Sequence, residues 1–198
     1  MASMSGLVKE LRGKTGAGIL DCQHALKETD SDIEKAIDLL RKKGLAAAQK
    51  KAGRETKEGV ISSYIHAGNK IGVLVEINCE TDFVARNEEF QSLVKDVALQ
   101  IAAANPSYVQ RENVPTEIIE REKSVYLGQA KEMDKPKAAW DKIVQGKLEK
   151  FYQEQCLVEQ SFIKDPNSTI TEILTEKIAK LGENISITRF TRYQLGQE

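Results

Sequence analysis

Ile71-Gly72-Val73-Leu74-Val75-Glu76-Ile77 passes directly into Asn78-Cys79-Glu80-Thr81-Asp82-Phe83-Val84-Ala85-Arg86-Asn87, and the rest of the chain is arranged around this segment. The first seven residues are the most strand-like run present, dominated by β-branched and large apolar side chains. Beyond them the period changes. Phe90, Leu93, Val94, Val97, Ala98 and Ile101 recur at helical spacing, so a helix opening at Asn87 lays one apolar stripe over a sheet face. Asn105-Pro106 ends it, because the residue before a proline is pushed out of the helical region. A connection between a buried strand and a buried helix is expected to be polar, yet this one carries Phe83 and Val84. Either Phe83 tucks back into the core, or Asp82 and Phe83 form an exposed finger for another protein, since binding residues tend to sit on loops held by a rigid scaffold. Periodicity alone does not choose.

On the N-terminal side, Val60-Ile61-Ser62-Ser63-Tyr64-Ile65-His66 and a turn at Ala67-Gly68-Asn69-Lys70 complete a β-hairpin with Ile71–Ile77. A third strand is expected at Ile185-Ser186-Ile187-Thr188-Arg189-Phe190, with its alternation slipping at Phe190 in the manner of a bulge. A helix precedes it, with Ile170, Ile173, Leu174, Ile178 and Leu181 inward. Thr169 and Glu172 make a capping box for that helix, Pro166 lies ahead of it and Gly182 ends it. Residues 116–155 read as two long helices joined at Lys135-Pro136-Lys137. Trp140, Ile143, Val144, Leu148 and Phe151 line one side of the second, and Ile118, Ile119, Val125, Tyr126 and Met133 lie more sparsely on the first. A narrow apolar seam with charged flanks predicts an antiparallel helical hairpin.

Residues 5–44 read as three short helices. Ser5 caps the first, which turns Leu7, Val8 and Leu11 inward, and Gly13, Gly16 and Gly18 break it. The second carries Leu20, Cys22, Ala25 and Leu26. The third has Ser31 and Glu34 as a capping box, Ile33, Ala36, Ile37 and Leu40 on one face, and Gly44 as its stop. Such a bundle is similar to the ubiquitin-associated type, and its marginal core suits a docking unit. The predicted fold class is therefore α+β in three parts. These are a three-helix domain over 1–44, a basic helical linker over 45–58, and a core domain over 59–198 with a small three-stranded antiparallel sheet packed by helices and the hairpin 116–155. Arg41, Lys42, Lys43, Lys50, Lys51 and Arg54 lie in a stretch without acidic residues. A solvated helical linker accounts for them better than contact with an acidic protein surface or RNA, and for RNA no aromatic side chain is interleaved for stacking.

The 198 residues carry a net charge of -1, which gives no global reason to expect nucleic acid or a membrane surface. The start of the chain lacks the pattern of a signal peptide, and three cysteines with two histidines suggest reduced thiols in a cytoplasmic setting with no metal and no cofactor. Cys79 and His66 make a conceivable thiolate pair, but nothing in the sequence positions them for covalent catalysis. Lys14-Thr15-Gly16 lacks the full phosphate-loop pattern, so no direct nucleotide binding is expected.

The segment 78–87 resembles the signature of the translation elongation factor Ts family. So do Leu7-Val8-Lys9-Glu10-Leu11-Arg12 followed by Thr15-Gly16-Ala17-Gly18-Ile19-Leu20-Asp21-Cys22, and Lys180-Leu181-Gly182-Glu183-Asn184-Ile185. The three blocks span nearly the whole chain in family order. The resemblance implies a guanine nucleotide exchange factor that binds elongation factor Tu, both GDP-bound and nucleotide-free. In that family the Asp-Phe pair intrudes near the partner's magnesium site and phosphate loop. Carried over, Asp82 makes the polar contact and Phe83 is the wedge, with Thr81 and Val84 supporting the turn. Arg12, Ile19 and Leu20 of the N-terminal bundle rest on the partner, and Leu181-Gly182 lie near the wedge. Where the family usually has a lysine after Asp-Cys, this chain has Gln23 then His24, a departure from the pattern.

Longer family members carry two related core modules, whereas this chain has one. Tyr64-Ile65-His66 with Ile71–Val75 resembles the second copy and the signature loop the first, so a homodimer is expected, with His66 of one subunit and Asp82-Phe83 of the other meeting one partner. The alternative is a module that binds through its helical bundle without promoting exchange, and it retains binding when Phe83 is removed. A weaker alternative, RNA binding through 41–54, predicts affinity that falls steeply with salt.

Overall fold

Ser3, not Ser5, caps the first helix in the computed structural model of the chain, which describes residues 3–133 and 136–197. Helix α1 (Met4–Thr15) opens with the Ser3 hydroxyl accepting from the Gly6 N–H at 3.2 Å and runs through Gly13. Gly16 closes it at φ 64°, donating to the Arg12 carbonyl at 2.8 Å. Helix α2 (Ile19–Glu28) follows from Gly18. Helix α3 (Ile33–Lys51) is capped by Asp32, whose carboxylate accepts from the Lys35 N–H at 3.1 Å, in place of the Ser31-Glu34 box. Ser31 sits at φ 66°, in the left-handed region, in the turn that precedes the cap. Gly44 does not stop this helix. Leu45-Ala46-Ala47-Ala48, strong helix formers, carry it seven residues further than a stop at Gly44 predicts. Val8, Leu11, Cys22, Ala25, Leu26 and Ala36 form the bundle core, with Leu7, Ile33, Ile37 and Leu40 packed at its margin.

Strand β1 (Glu58–Ile65) and β2 (Ile71–Cys79) make the expected hairpin, turning through Gly68 at φ 88° and Asn69 at φ 57°. Then come α4 (Asp82–Ala85), α5 (Glu88–Ala104), α6 (Thr116–Glu132) and α7 (Trp140–Gln155). Of the expected joint between the last two, Lys135 lies outside the described residues, and Lys137–Ala139 form a 3-10 turn leading into Trp140. The stretch before the last helix is not simply loop. Strands β3 (Ser161–Phe162) and β4 (Asp165–Thr169) pair antiparallel, and α8 (Ile170–Leu181) starts directly after Thr169. Strand β5 (Ile185–Gln194) continues past Phe190. The main sheet is antiparallel in the order β1-β2-β5, so the architecture is α+β.

The chain divides into two compact units, one of Met1–Val60, Ile77–Leu93 and Glu172–Ser186, the other of Ile61–Glu76, Val94–Thr171 and Ile187–Glu198. In the second unit, Gln100 is fully buried. Its amide donates to Gln160 Oε1 and the Ser161 carbonyl, both at 3.1 Å, and its oxygen accepts from the Ile163 N–H at 2.9 Å. Arg111 lies 4.5 Å over the Tyr152 ring and forks between Glu149 and Glu159, fixing the base of the α6–α7 hairpin. In the first unit, Ala36, Phe90, Leu93 and Ile77 are buried. That unit also contains the signature segment.

Candidate functional site

Strand β2 ends at Cys79, whose side chain is fully buried and whose thiol donates to the Thr81 carbonyl at 3.2 Å. From there the backbone turns outward and is held at once. Glu80 N–H and Thr81 N–H both donate to Glu183 Oε2, at 3.1 and 3.0 Å, and the Thr81 hydroxyl donates to Glu183 Oε1 at 2.7 Å. The grip is reciprocal: Asn184 N–H donates to Glu80 Oε1 at 2.6 Å, and Arg54 Nη1 stands 3.5 Å from the same oxygen. Asn184 is buried and donates to the Arg54 carbonyl at 2.8 Å, which ties the end of the basic segment to this cluster.

Thr81 caps α4, its hydroxyl accepting from the Val84 N–H at 3.4 Å. The expected loop at 82–85 is therefore a single helical turn. Ala85 is its buried foot, and Gln91 Nε2 donates to the Ala85 carbonyl at 2.6 Å. Asp82 pairs with Arg86 at 2.9 Å across the turn. Asn87 Oδ1 accepts from the Glu89 N–H at 2.8 Å and so starts α5. Glu89 is in turn gripped by Lys177 and by Lys180, the latter at 2.7 Å, and this hydrogen bonding, Lys177 first, holds its carboxyl down at about 2. Both ends of the turn are thus fastened to α8 and the residues after it. Between them Phe83 is 82% exposed. The side chain does not enter the core.

Other expected residues of the first unit divide clearly. Ile19 and Leu20 begin α2 and are 51% and 68% exposed, while Arg12 is exposed on α1. The turn that presents Ile19 and Leu20 lies beside α8, since a Cβ placed on Gly16 would sit 3.5 Å from Lys180 Nζ. Arg41 of α3 also pairs with Glu172 of α8. Lys180 thus borders both the Gly16 turn and the Glu89 end of the signature segment. Leu181 is half-buried, and Gly182, exposed at φ 78°, makes the turn that delivers Glu183. Val84 is half-buried. His66 belongs to the second unit, where it is exposed and its Nδ1 lies 3.0 Å from the Tyr64 hydroxyl.

Glu183 was not among the residues expected to act. Its signal was in view, since it falls inside the block Lys180–Ile185, but hydrogen bonds to backbone N–H groups leave no trace in side-chain periodicity. Burial, with a further push from the Glu183 charge, raises the Cys79 thiol to about 11, which keeps it protonated at neutral pH and unsuited to nucleophilic attack. Among the described residues no three His, Cys, Asp or Glu side chains group as a metal site, and no helix is long and apolar enough to cross a membrane.

The family model described as Elongation factor TS matches residues 23–197. The chain is similar to "Elongation factor Ts" of Thermodesulfovibrio yellowstonii, 59% identical over 197 residues that cover 100% of this chain and 98% of the relative. It is 57% identical to the protein of that name from Geobacter sulfurreducens, over 100% of this chain and 91% of the relative. With that of Carboxydothermus hydrogenoformans it shares 59% identity over 98% of this chain and 89% of the relative.

Proposed function

The chain belongs to the elongation factor Ts family, and from that membership we propose that it binds elongation factor Tu carrying GDP and expels the nucleotide with the Asp82-Phe83 turn. The observation that carries this reading is Phe83, 82% exposed on a one-turn helix whose two ends are fastened. An exposed aromatic side chain on a backbone turn that is already fixed costs little further backbone ordering when a partner buries it. Phe83 is the wedge and Asp82 the polar contact beside it, with Thr81 and Val84 shaping the turn. Arg12, Ile19 and Leu20 form a second contact through the helical bundle, and Leu181-Gly182 flank the wedge. The factor acts in the cytoplasm and itself binds neither nucleotide nor metal. Stopped-flow release of fluorescent GDP from purified elongation factor Tu tests the reading. Release is expected to accelerate with increasing concentration of this protein, and an unchanged rate with demonstrable binding leaves only the docking module.

The second unit supports a two-fold homodimer. Ile61, Ile65, Leu74 and Tyr193, from all three strands of the main sheet, are exposed large apolar side chains within that unit. Apolar exposure of that kind marks an association surface, and an isologous contact is the usual way for one chain to cover it. His66 of the second copy then joins the same partner. Light scattering at micromolar concentration is expected to give twice the chain mass of 22.1 kDa, and the single mass overturns the dimer.

A further inference from the structure

We infer that Glu183 is the positioning residue of the exchange turn, an inference that rests on the exchange reading above. Three donors converge on its carboxylate: the successive N–H groups of Glu80 and Thr81 on Oε2, and the Thr81 hydroxyl on Oε1. Successive backbone N–H groups of this kind form a concave anion site, here filled by a side chain of the same unit. The third bond matters most. A hydroxyl has one proton and two lone pairs. Glu183 accepts the Thr81 hydroxyl's hydrogen bond at 2.7 Å, which leaves a hydroxyl lone pair for the Val84 N–H, the bond that caps α4. The carboxylate therefore sets the rotamer of the cap, and the cap sets the orientation of the turn that carries Asp82 and Phe83.

Glu183 is itself fixed. Gly182 turns the chain at φ 78° after α8, and the next residue, Asn184, donates its N–H to Glu80 Oε1 at 2.6 Å while its amide holds the Arg54 carbonyl. The end of α8 also supplies Lys177 and Lys180, which hold Glu89 at the far side of the turn. One helix end thus anchors the turn at its start through Glu183 and at its finish through the two lysines. Glu183 touches no nucleotide in this role. It acts through Thr81.

A purely structural contribution and a positioning one predict different kinetics. Loss of folded protein lowers the active concentration, so it raises the concentration needed for half-maximal GDP release and leaves the maximal rate intact. A mobile turn lowers the maximal rate itself. The test measures GDP release from elongation factor Tu against concentration for wild type, Glu183→Ala, Glu183→Gln, Phe83→Ala and Phe83→Ala/Glu183→Ala, with circular dichroism of each. The expected result is a maximal rate about 10-fold lower for Glu183→Ala and a smaller loss for Glu183→Gln, which keeps one acceptor oxygen and the side-chain size. Adding Glu183→Ala to Phe83→Ala is expected to change the maximal rate by less than about 2-fold, because the two act on one step. If Glu183→Ala is unfolded, Glu183→Gln carries the same comparison. An unchanged maximal rate, or full additivity with Phe83→Ala, overturns the positioning role while leaving exchange in place. A wild type that does not accelerate release removes the exchange reading itself.

Discussion

Replacing Phe83 by alanine is expected to slow GDP release from elongation factor Tu by about 10- to 150-fold relative to wild type, with the circular dichroism spectrum and the melting temperature unchanged. The size follows from burial. A phenylalanine side chain moved from water into a protein contributes about 1.5–3 kcal/mol, and each 1.36 kcal/mol of barrier is tenfold in rate. The absence of a folding effect follows from the structure: at 82% exposure Phe83 contributes little to the core, and the turn that bears it is held by Thr81, Ala85 and Glu183 rather than by the ring. Near-neutral surface truncations stay within about 0.5 kcal/mol. Stopped-flow fluorescence of bound GDP and a thermal melt of the same preparation measure both halves. An unfolded variant would make Phe83 a core residue, and a fully active one would move the wedge elsewhere.

Phe83 cannot supply the whole acceleration on these terms. A roughly 10⁴-fold gain in release needs about 5.5 kcal/mol at 1.36 kcal/mol per decade. Disturbance of the partner's magnesium and phosphate contacts, with Asp82 as the polar element, accounts for the remainder in the proposed mechanism. Binding linkage adds a constraint: if this protein weakens GDP on its partner by some factor, GDP weakens this protein by the same factor.

The fold was legible where burial dictates side-chain type, and illegible where backbone groups decide. The apolar stripe Phe90, Leu93, Val94, Val97, Ala98, Ile101 is buried at every position, because a helix face covering a core has no other composition available to it. The β-hairpin was equally plain. Cap residues were misread by one or two positions, as with Asp32 for Ser31 and Ser3 for Ser5, since several adjacent residues of the right chemistry compete and only backbone dihedrals select one. Gly44 looked like a stop because glycine is penalised inside helices, yet the alanine-rich run after it outweighs that penalty. Strands β3 and β4 escaped because Asp165-Pro166-Asn167-Ser168 has turn composition, and a strand of two residues leaves no period to detect. At the candidate site, the ambiguity of Phe83 was real: an aromatic residue between a buried strand and a buried helix satisfies either environment. Its exposure is fixed by the hydrogen bonds of Glu80, Thr81 and Ala85, none of which depends on the character of residue 83.

Gly59→Ala is expected to destabilise the protein by about 3 kcal/mol or more, and Gly68→Ala by about 1 kcal/mol. Both glycines have positive φ, 142° and 88°, so composition and dihedral sign alone rank them together. Space separates them. A Cβ on Gly59 would lie 2.3 Å from the Ile77 carbonyl oxygen and 2.6 Å from the Asn78 Cα, backbone atoms of β2 that cannot swing aside, whereas nothing stands within 4 Å of a Cβ on Gly68. At Gly59, β1 therefore passes too close to the end of β2 to admit a side chain, and there Asn78 Nδ2 also donates to the Glu58 carbonyl at 3.2 Å. Relief of the clash has to push Ile77 and Asn78, and with them Cys79 and the Glu80-Thr81 amides that meet Glu183. For a chain of this length about 1 kcal/mol shifts the melting temperature by about 2–4 °C, so thermal denaturation should separate the two variants by several degrees. Exchange should also fall in Gly59→Ala below its melting point and not in Gly68→Ala. Equal melting shifts would show that the strand pair yields at Gly59, and that the start of the exchange segment is softer than its hydrogen bonds require.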